Sequence, residues 1–164
     1  MSRQRAWEDE HGFTLVELIV VILIMGIVFA IASSTWFGAI ESRKADSATN
    51  QVVADLRHAN SKATNRLEDY SFVIPSANST TYEIGPTSEE LVPTSLPDGT
   101  QIAGGVAGGV DITFHSDGSA EVNSGTTPIT VRSSQDPTKC HQIDINTATS
   151  RIEVDPVEGD PCDP

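Results

Sequence analysis

The stretch that decides the fold is GFTLVELIVVILIMGIVFAIA, residues 12–32. It has no polar side chain between Leu18 and Ala32, and Glu17 is its only charged residue. Twenty residues of α-helix rise roughly 30 Å, which is about the thickness of the hydrocarbon core of a lipid bilayer. The stretch is therefore long enough and apolar enough to span a membrane. Glu17 then needs an explanation, because an ionised carboxylate inside lipid is costly and usually functional.

The residues of this stretch leave three other interpretations open. A buried core helix of a soluble protein can be equally apolar, and a plain single-pass anchor has the same length. An ordinary secretory signal also fits, because Ala30-Ile31-Ala32 is a cleavage site of the small-residue type. Such signals begin with a positively charged region, whereas residues 1–12 carry two basic residues against three acidic ones. The charge of this N-terminal region argues against ordinary secretion.

The sequence GFTLVELIVVILIMGIV resembles the N-terminal signature of type IV pilins and type II secretion pseudopilins, the class III signal peptide. Gly12 matches the residue before the cleaved bond, Phe13 the new N-terminus, and Glu17 the fifth residue of the mature chain. The resemblance implies that a membrane-embedded prepilin peptidase removes residues 1–12 and methylates the Phe13 amine. Glycine suits the position before the cut, because a backbone without Cβ enters a protease cleft most easily. The leader departs from the family pattern in ending with acidic residues and His11 instead of a basic residue.

Glu17 has a chemical partner in the processed chain. Cleavage leaves a charged amine at Phe13, and Glu17 lies four residues further on, one helical turn away on the same face. Opposite charges attract more strongly in low dielectric than in water, and pairing removes the cost of a lone carboxylate in lipid. The resemblance implies that Glu17 of one subunit docks on the Phe13 amine of the next, which sets register in a filament.

Residues 33–66 are predicted to continue the same helix out of the membrane, because no proline occurs before Pro75. Small or apolar residues recur at intervals of three and four, which places them on one stripe of an α-helix. The stripe consists of Ala45, Ala48, Val52, Leu56, Ala59 and Ala63. The sequence thus predicts a membrane-spanning, filament-core half over 13–33 and an amphipathic half over 34–66.

The remaining residues, 67–164, have the pattern of short strands separated by turns. Each strand alternates apolar and polar residues, so each has one apolar face that must be covered. The expected strands are 70–74, 81–84, 111–114, 119–122, 129–132, 141–145 and 151–154, and a tight turn is expected over 115–118. The stretch through Leu91, Leu96 and Gly99 is expected to be irregular. The predicted fold is α+β, a long N-terminal helix whose second half packs against a C-terminal antiparallel sheet.

The order of these elements resembles the C-terminal domain of H-type minor pseudopilins and FimT-type minor pilins. The resemblance covers most of residues 45–155 and includes the turn Phe114-His115-Ser116-Asp117-Gly118 and the strand Arg151-Ile152-Glu153-Val154. It favours a minor subunit over a major one.

The chain is strongly acidic, with a formal net charge of −13. Such acidity disfavours non-specific binding to nucleic acid, which requires a basic surface. Some FimT-type minor pilins capture DNA through basic residues near the C-terminus. From Arg132 onward, this chain has seven acidic residues against three basic ones. No nucleic-acid partner is expected.

Cys140 and Cys162 lie on the side of the membrane that this topology exports, where disulfides persist. A Cys140–Cys162 disulfide would close a loop of about 23 residues and stabilise the fold by about 3 kcal/mol. The tail that it would hold carries four carboxylates that are candidates for Ca²⁺ binding, Asp155, Glu158, Asp160 and Asp163. Their spacing is not that of an EF-hand, and a solvated acidic tail is the simpler interpretation. No metal and no other cofactor is expected.

Two residue groups have the composition of a catalytic site. His115, Ser116 and Asp117 are the residue types of a hydrolytic triad, but consecutive residues in a tight turn cannot adopt the geometry of nucleophile, base and orienting group. Cys140 and His141 are adjacent on a predicted strand, so their side chains point to opposite faces, and no second pair of ligands lies at zinc spacing. No enzymatic activity is expected.

These observations predict a structural subunit of a type IV pilus or a type II secretion pseudopilus. One span holds it in the cytoplasmic (inner) membrane, with the N-terminus in the cytoplasm and the C-terminal domain outside, before it enters a cell-surface filament or pseudopilus. Its expected partners are prepilin peptidase, other pilin or pseudopilin subunits, the inner-membrane assembly platform and membrane lipid. The alternative is a membrane-anchored or secreted extracellular binding domain that is not incorporated in a filament.

Overall fold

The computed structural model describes residues 13–103 and 109–156. In these residues it has one α-helix, α1 (Leu15–Arg66), followed by nine β-strands. The chain divides into two compact units, with the boundary inside α1 between Phe37 and Gly38. The prediction of an α+β fold with a long N-terminal helix and antiparallel strands is confirmed.

The first unit contains the N-terminal part of α1. Its side chains from Leu15 to Ser33 are all exposed, although an 18-residue window of this helix has a mean hydropathy of 3.1. By length and composition, α1 is the one helix in the described residues that could cross a membrane. Exposing apolar surface to water costs about 25 cal/mol per Å². This segment therefore requires lipid or neighbouring protein around it.

The second unit begins with the C-terminal part of α1, which ends at Arg66. Leu67 adopts the left-handed conformation with φ 55°, and the Glu68 backbone N–H donates to the Ala63 carbonyl at 3.3 Å. This is the six-residue bond that commonly closes a helix, but its left-handed position is usually glycine because a Cβ is crowded there. The bond stops the helix and turns the chain into the first strand.

Five strands form the first sheet, and all neighbours are antiparallel. They are β1 (Tyr70–Ile74), β2 (Thr81–Pro86), β3 (Val92–Ser95), β5 (Val110–Phe114) and β6 (Ala120–Ser124), in the order β3-β2-β1-β5-β6. The central strand β1 pairs Phe72 with Ile84 of β2 on one side and with Ile112 of β5 on the other. The sheet is therefore built around β1, the strand nearest to the helix end in sequence.

Four strands form the second sheet, which is also antiparallel. They are β4 (Thr100–Ala103), β7 (Ile129–Ser133), β8 (Cys140–Asn146) and β9 (Arg151–Pro156), in the order β4-β7-β8-β9. An isolated bridge joins Ser79, in the loop between β1 and β2, to Ile102 of β4. The Ile102 N–H donates to the Ser79 carbonyl there at 2.9 Å.

The core of the second unit lies between α1 and the two sheets. All six residues of the predicted stripe from Ala45 to Ala63 are at most 1% exposed. Five of them, from Ala48 to Ala63, belong to one cluster with apolar side chains of both sheets, including Phe72 and Ile112 of the first sheet and Ile143 of the second. Four of the six stripe residues are alanine, which lets the strands lie close to the helix backbone. The predicted packing of this stripe is confirmed.

The structure differs from the sequence-based expectation in the number of sheets. The sequence predicted one sheet, with an irregular stretch through Leu91 and Gly99, but that stretch contains β3, and β4 follows it directly. Both are four-residue strands at the edges of their sheets, and β3 contains Pro93. Proline lowers strand propensity and is tolerated at an edge. These strands form because β2 and β7 pair with them, and a local pattern of four residues does not contain that information.

Candidate processing and assembly site

The start of α1 is set by Thr14. Its Oγ1 accepts a hydrogen bond from the Glu17 backbone N–H at 3.2 Å, and its carbonyl accepts from the Leu18 N–H at 3.2 Å. A threonine at the cap with a glutamate three residues later is the sequence pattern of a capping box. An acidic side chain in the first turn also stabilises the helix, because it interacts favourably with the positive end of the helix dipole. The helix thus begins two residues after Phe13 for a local reason.

The predicted cleavage site lies at the edge of the described structure. Phe13 is 84% exposed and precedes the helix. Gly12 and the predicted leader, 1–12, lie outside the described residues. The cleavage position therefore stays a prediction from the sequence.

Glu17 is the one acidic residue of the apolar part of α1, and its side chain is exposed. Within residues 13–103 and 109–156, no Lys, Arg or His nitrogen lies within 4.0 Å of its carboxylate. The side chains around it in sequence, such as Val16 and Leu18, are apolar and exposed. Any cation that pairs with Glu17 must therefore come from outside the described part of this chain.

A second group of polar residues attaches the β5–β6 turn to the connection between α1 and β1. The Asp69 carboxylate accepts from the Ser116 backbone N–H at 3.0 Å and lies 3.0 Å from His115 Nδ1. His115 Nε2 lies 3.4 Å from a Glu121 carboxylate oxygen. The turn is also closed internally, because Asp117 Oδ1 accepts from both the N–H and the hydroxyl of Ser119. These contacts therefore close the turn and attach it to Asp69.

The ionisation of this group follows from its geometry. The hydrogen bond to Asp69 raises the pKa of His115 above its ordinary value. The same bond, together with the Ser116 N–H, holds the pKa of Asp69 below its ordinary value. Each partner thus favours the charged form of the other.

The second sheet is fastened to α1 by two further polar contacts. His141 Nε2 on β8 lies 2.6 Å from Asp46 Oδ1 on the helix. The Ser133 hydroxyl on β7 donates to Glu41 at 2.6 Å, and Lys44 donates to the other oxygen of that carboxylate at 2.7 Å. Lys44 and Ser133 together lower the pKa of Glu41. These contacts lie at the rim of the core, where polar partners can remain partly hydrated.

Sequence reasoning missed these attachments. Asp69 and His115 are 46 positions apart, and Asp46 and His141 are 95 positions apart. No local pattern joins residues at such separations. The one available signal was the position of His115 in a turn that precedes an Asp-Gly pair, which marks a site where polar side chains are held in defined directions.

Two family models match the chain. One, described as the prokaryotic N-terminal methylation motif, matches residues 9–33, and the other, described as type II transport protein GspH, matches residues 48–149. The second match covers more than half of the chain and spans most of the buried part of α1 and most of both sheets. The chain belongs to the GspH family. No curated protein and no solved structure matches it significantly.

Membership in the GspH family confirms the resemblance to pilins and pseudopilins and the predicted function. This GspH-family chain is a minor structural subunit of a type IV pilus or a type II secretion pseudopilus. The motif at residues 9–33 includes Gly12, Phe13 and Glu17. An exposed apolar helix with this motif fits a subunit held in the inner membrane before it joins a surface filament.

The other candidate residues of the GspH-family chain lie only partly within the described residues. Cys140 is buried at the start of β8, and Cys162 lies outside the described residues. Asp155 is exposed on β9, whereas Glu158, Asp160 and Asp163 also lie outside them. The described part of the chain contains no group of three or more His, Cys, Asp or Glu residues that could hold a metal ion. The disulfide and the calcium site stay predictions.

Proposed function

We propose that this subunit is made as a prepilin, cut between Gly12 and Phe13, and methylated on the new amine. Before assembly, its N-terminus faces the cytoplasm and its strand-rich unit faces the outside of the inner membrane. The observation that carries this proposal is Glu17, a carboxylate in the first turn of an exposed apolar helix that has no cationic partner in the described residues.

The Phe13 amine would supply the missing charge. Within one chain, the amine lies one turn before Glu17, so each subunit carries a cation and an anion at the same end of its helix. When two helices pack side by side with an axial offset, the amine of one can reach the carboxylate of the other. In a lipid-like environment, leaving either charge alone is strongly unfavourable. The pair would therefore select one offset between neighbouring subunits.

The proposal implies four kinds of partner. Prepilin peptidase cleaves and methylates the chain, the inner-membrane assembly platform moves it into the filament, other pilin or pseudopilin subunits contact the helix, and lipid surrounds it before assembly. The exposed apolar side chains from Leu15 to Ser33 suit both of the last two environments. The acidic charge of the chain, −13, supports no nucleic-acid partner.

One alternative is a membrane-anchored or secreted binding domain that never enters a filament. A secreted domain would arise from cleavage after Ala32, and an anchored domain would need no methylated amine. In either case, Glu17 would serve only as part of the helix cap.

Mass spectrometry of the N-terminal peptide from native membranes tests the proposal. We expect a chain that begins at Phe13 and carries one additional methyl group. A chain that begins at Ser33 would contradict prepilin processing and establish ordinary secretion. A chain that retains residues 1–12 in cells with active prepilin peptidase would favour the unprocessed membrane anchor.

A further inference from the structure

Two adjacent aromatic residues lie on α1 beyond the continuous apolar run. Trp36 is 71% exposed and Phe37 is 68% exposed. Single exposed apolar side chains are common on soluble proteins, but two neighbouring large aromatic rings that contact little of their own chain point to an external partner. The same helix provides a reason to choose lipid as that partner, because residues 18–32 are all apolar and exposed.

The position of the two rings along the helix matches the edge of a bilayer. Trp36 follows Phe13 by 23 residues, and a helical rise of 1.5 Å per residue separates them by roughly 35 Å. The hydrocarbon core of a bilayer is about 30 Å thick. If the N-terminus lies at the cytoplasmic boundary, Trp36 and Phe37 therefore lie just beyond the opposite boundary of the hydrocarbon.

The same side of the helix is suited to contact with lipid below these rings. Phe29 lies seven residues before Trp36, nearly two full turns, and is 70% exposed on the same side. Ser33 lies between them, and its hydroxyl donates to the Ala30 carbonyl at 3.0 Å. The Ser33 hydroxyl is thus bonded within the helix, so it can enter an apolar environment without losing a hydrogen bond.

We propose that Trp36 and Phe37 form an interfacial anchor that docks into the headgroup layer of the outward-facing leaflet and sets the depth of the helix before assembly. Tryptophan suits this layer because its ring is apolar while its indole N–H can donate to glycerol, carbonyl or phosphate oxygens of phospholipids. The phenylalanine ring adds apolar contact on the adjacent part of the helix surface. This inference rests on the proposed membrane insertion but requires neither cleavage at Gly12 nor entry into a filament.

Tryptophan fluorescence tests the anchor directly. The chain has two tryptophans, so the full-length Trp7→Phe variant reports on Trp36 alone, whether or not the leader is removed. The variant is placed in vesicles of phosphatidylethanolamine and phosphatidylglycerol that contain lipids brominated either near the headgroup or near the end of the acyl chains. We expect emission shifted to the blue of tryptophan in water and quenching several-fold stronger by the shallow bromines. Emission as in water with no quenching by either lipid, or stronger quenching by the deep bromines, would overturn the proposal.

Two matched variants locate the result along the chain. In Trp7→Phe/Trp36→Phe/Phe29→Trp, the single tryptophan lies two turns nearer the bilayer centre. The deep bromines should therefore quench it more strongly than they quench Trp36. In Trp7→Phe/Trp36→Phe/Val92→Trp, it lies on the exposed edge strand β3, where Val92 is 61% exposed, and no bromolipid should quench it. Deep quenching at position 29 without shallow quenching at position 36 overturns the anchor alone. Absence of quenching at both positions overturns membrane insertion as well.

Contact between helices of two copies is the competing explanation for a shielded Trp36. It predicts that bromolipid quenching decreases as the protein-to-lipid ratio rises, because neighbouring helices replace lipid around the ring. Quenching that stays constant over this range supports contact of Trp36 with the lipid headgroup layer. Shielding that occurs only at high ratios contradicts it.

Discussion

At the scale of single residues, Asp69 lies in the short connection between α1 and β1 and binds the β5–β6 turn. Its two oxygens serve different partners, one the Ser116 N–H and the other the His115 ring. The His115 and Asp69 side chains are 32% and 40% exposed, so water screens part of their attraction. The contact thus contributes modestly to stability, and its strength depends on the protonation of His115 and Asp69.

The signs of the two pKa shifts predict how this contact responds to pH. Because the pKa of His115 is raised, its contribution is complete below about pH 6.5 and is lost as the pH rises through the higher folded value. Because the pKa of Asp69 is lowered, its contribution is present above about pH 4 and is lost as the pH falls through the lower folded value. The contact should stabilise the fold most between these two pH values.

The variant His115→Gln should therefore lower the free energy of unfolding more at mildly acidic pH than at alkaline pH. We expect a loss of about 0.5–1 kcal/mol in the acidic range, because a partly exposed charged hydrogen bond is removed. The measurement is urea unfolding of the full chain in detergent over a pH series. His58→Gln, which changes an exposed histidine elsewhere on α1, is the control and should cause no such difference. An equal loss at all pH values would contradict the ion-pair interpretation.

At the scale of elements, the stripe on α1 is shaped by small side chains. Ala48, Ala59 and Ala63 are completely buried beneath the strands. Interiors are packed to the density of organic crystals, so such positions have no room for added carbon atoms. The alanines thus determine how closely the sheets approach the helix.

A larger side chain on this stripe should be costly. Ala59→Leu should lower the free energy of unfolding by about 1–3 kcal/mol, because the strands must move to accommodate it. Ala54→Leu places the same change on an exposed position of the same helix and should change stability by less than about 0.5 kcal/mol. Thermal unfolding of both variants in detergent, followed by circular dichroism, measures the difference. Equal stability of the two variants would refute the close packing of the stripe.

Also at the scale of elements, the predicted Cys140–Cys162 disulfide would attach the C-terminal tail to the start of β8. We expect Cys162→Ser to lower the free energy of unfolding by about 3 kcal/mol, the value for a loop of about 23 residues. Adding a reductant to the unchanged protein should cause the same loss and should not affect the variant further. Peptide mapping without reductant should recover the two cysteines in one linked fragment. Two freely titratable thiols in protein purified from the exported side would contradict the prediction.

At the scale of the whole molecule, the apolar part of α1 has no packing partners among the described residues. Its side chains are exposed over the whole membrane-length segment, and Glu17 has no cation among the described residues. Glu17 also occupies the third position of a helix that Thr14 caps. Capping and pairing with an amine are therefore two alternative roles for the Glu17 side chain, and they predict different responses to substitution.

Glu17→Gln separates these two roles. Glutamine can replace glutamate in a capping box but carries no charge. If the charge pairs with a neighbouring amine, Glu17→Gln should reduce incorporation into filaments at least about tenfold, since one charge of a desolvated pair is left alone. The fraction of the subunit that sediments with sheared filaments, compared with the membrane fraction, is the measurement.

Two further variants complete this experiment. Glu17→Ala should fail as severely as Glu17→Gln, because both lack the charge. Thr14→Ala removes the cap at a cost of about 1 kcal/mol and should leave incorporation near the level of the unchanged chain. Normal incorporation of Glu17→Gln together with failure of Glu17→Ala would instead assign Glu17 to the helix cap.

The sequence by itself determined the features that depend on neighbouring residues. The apolar run before Ser33, the stripe from Ala45 to Ala63 and the alternation in strands such as 111–114 are periodic, and periodicity specifies which face of an element is buried. Only the tertiary structure decided which strands lie side by side. The division into two sheets, the strands β3 and β4, and the contacts of Asp69 with His115 and of Asp46 with His141 all join distant positions. Such contacts depend on how the whole chain folds over α1, and a local pattern contains no record of that path.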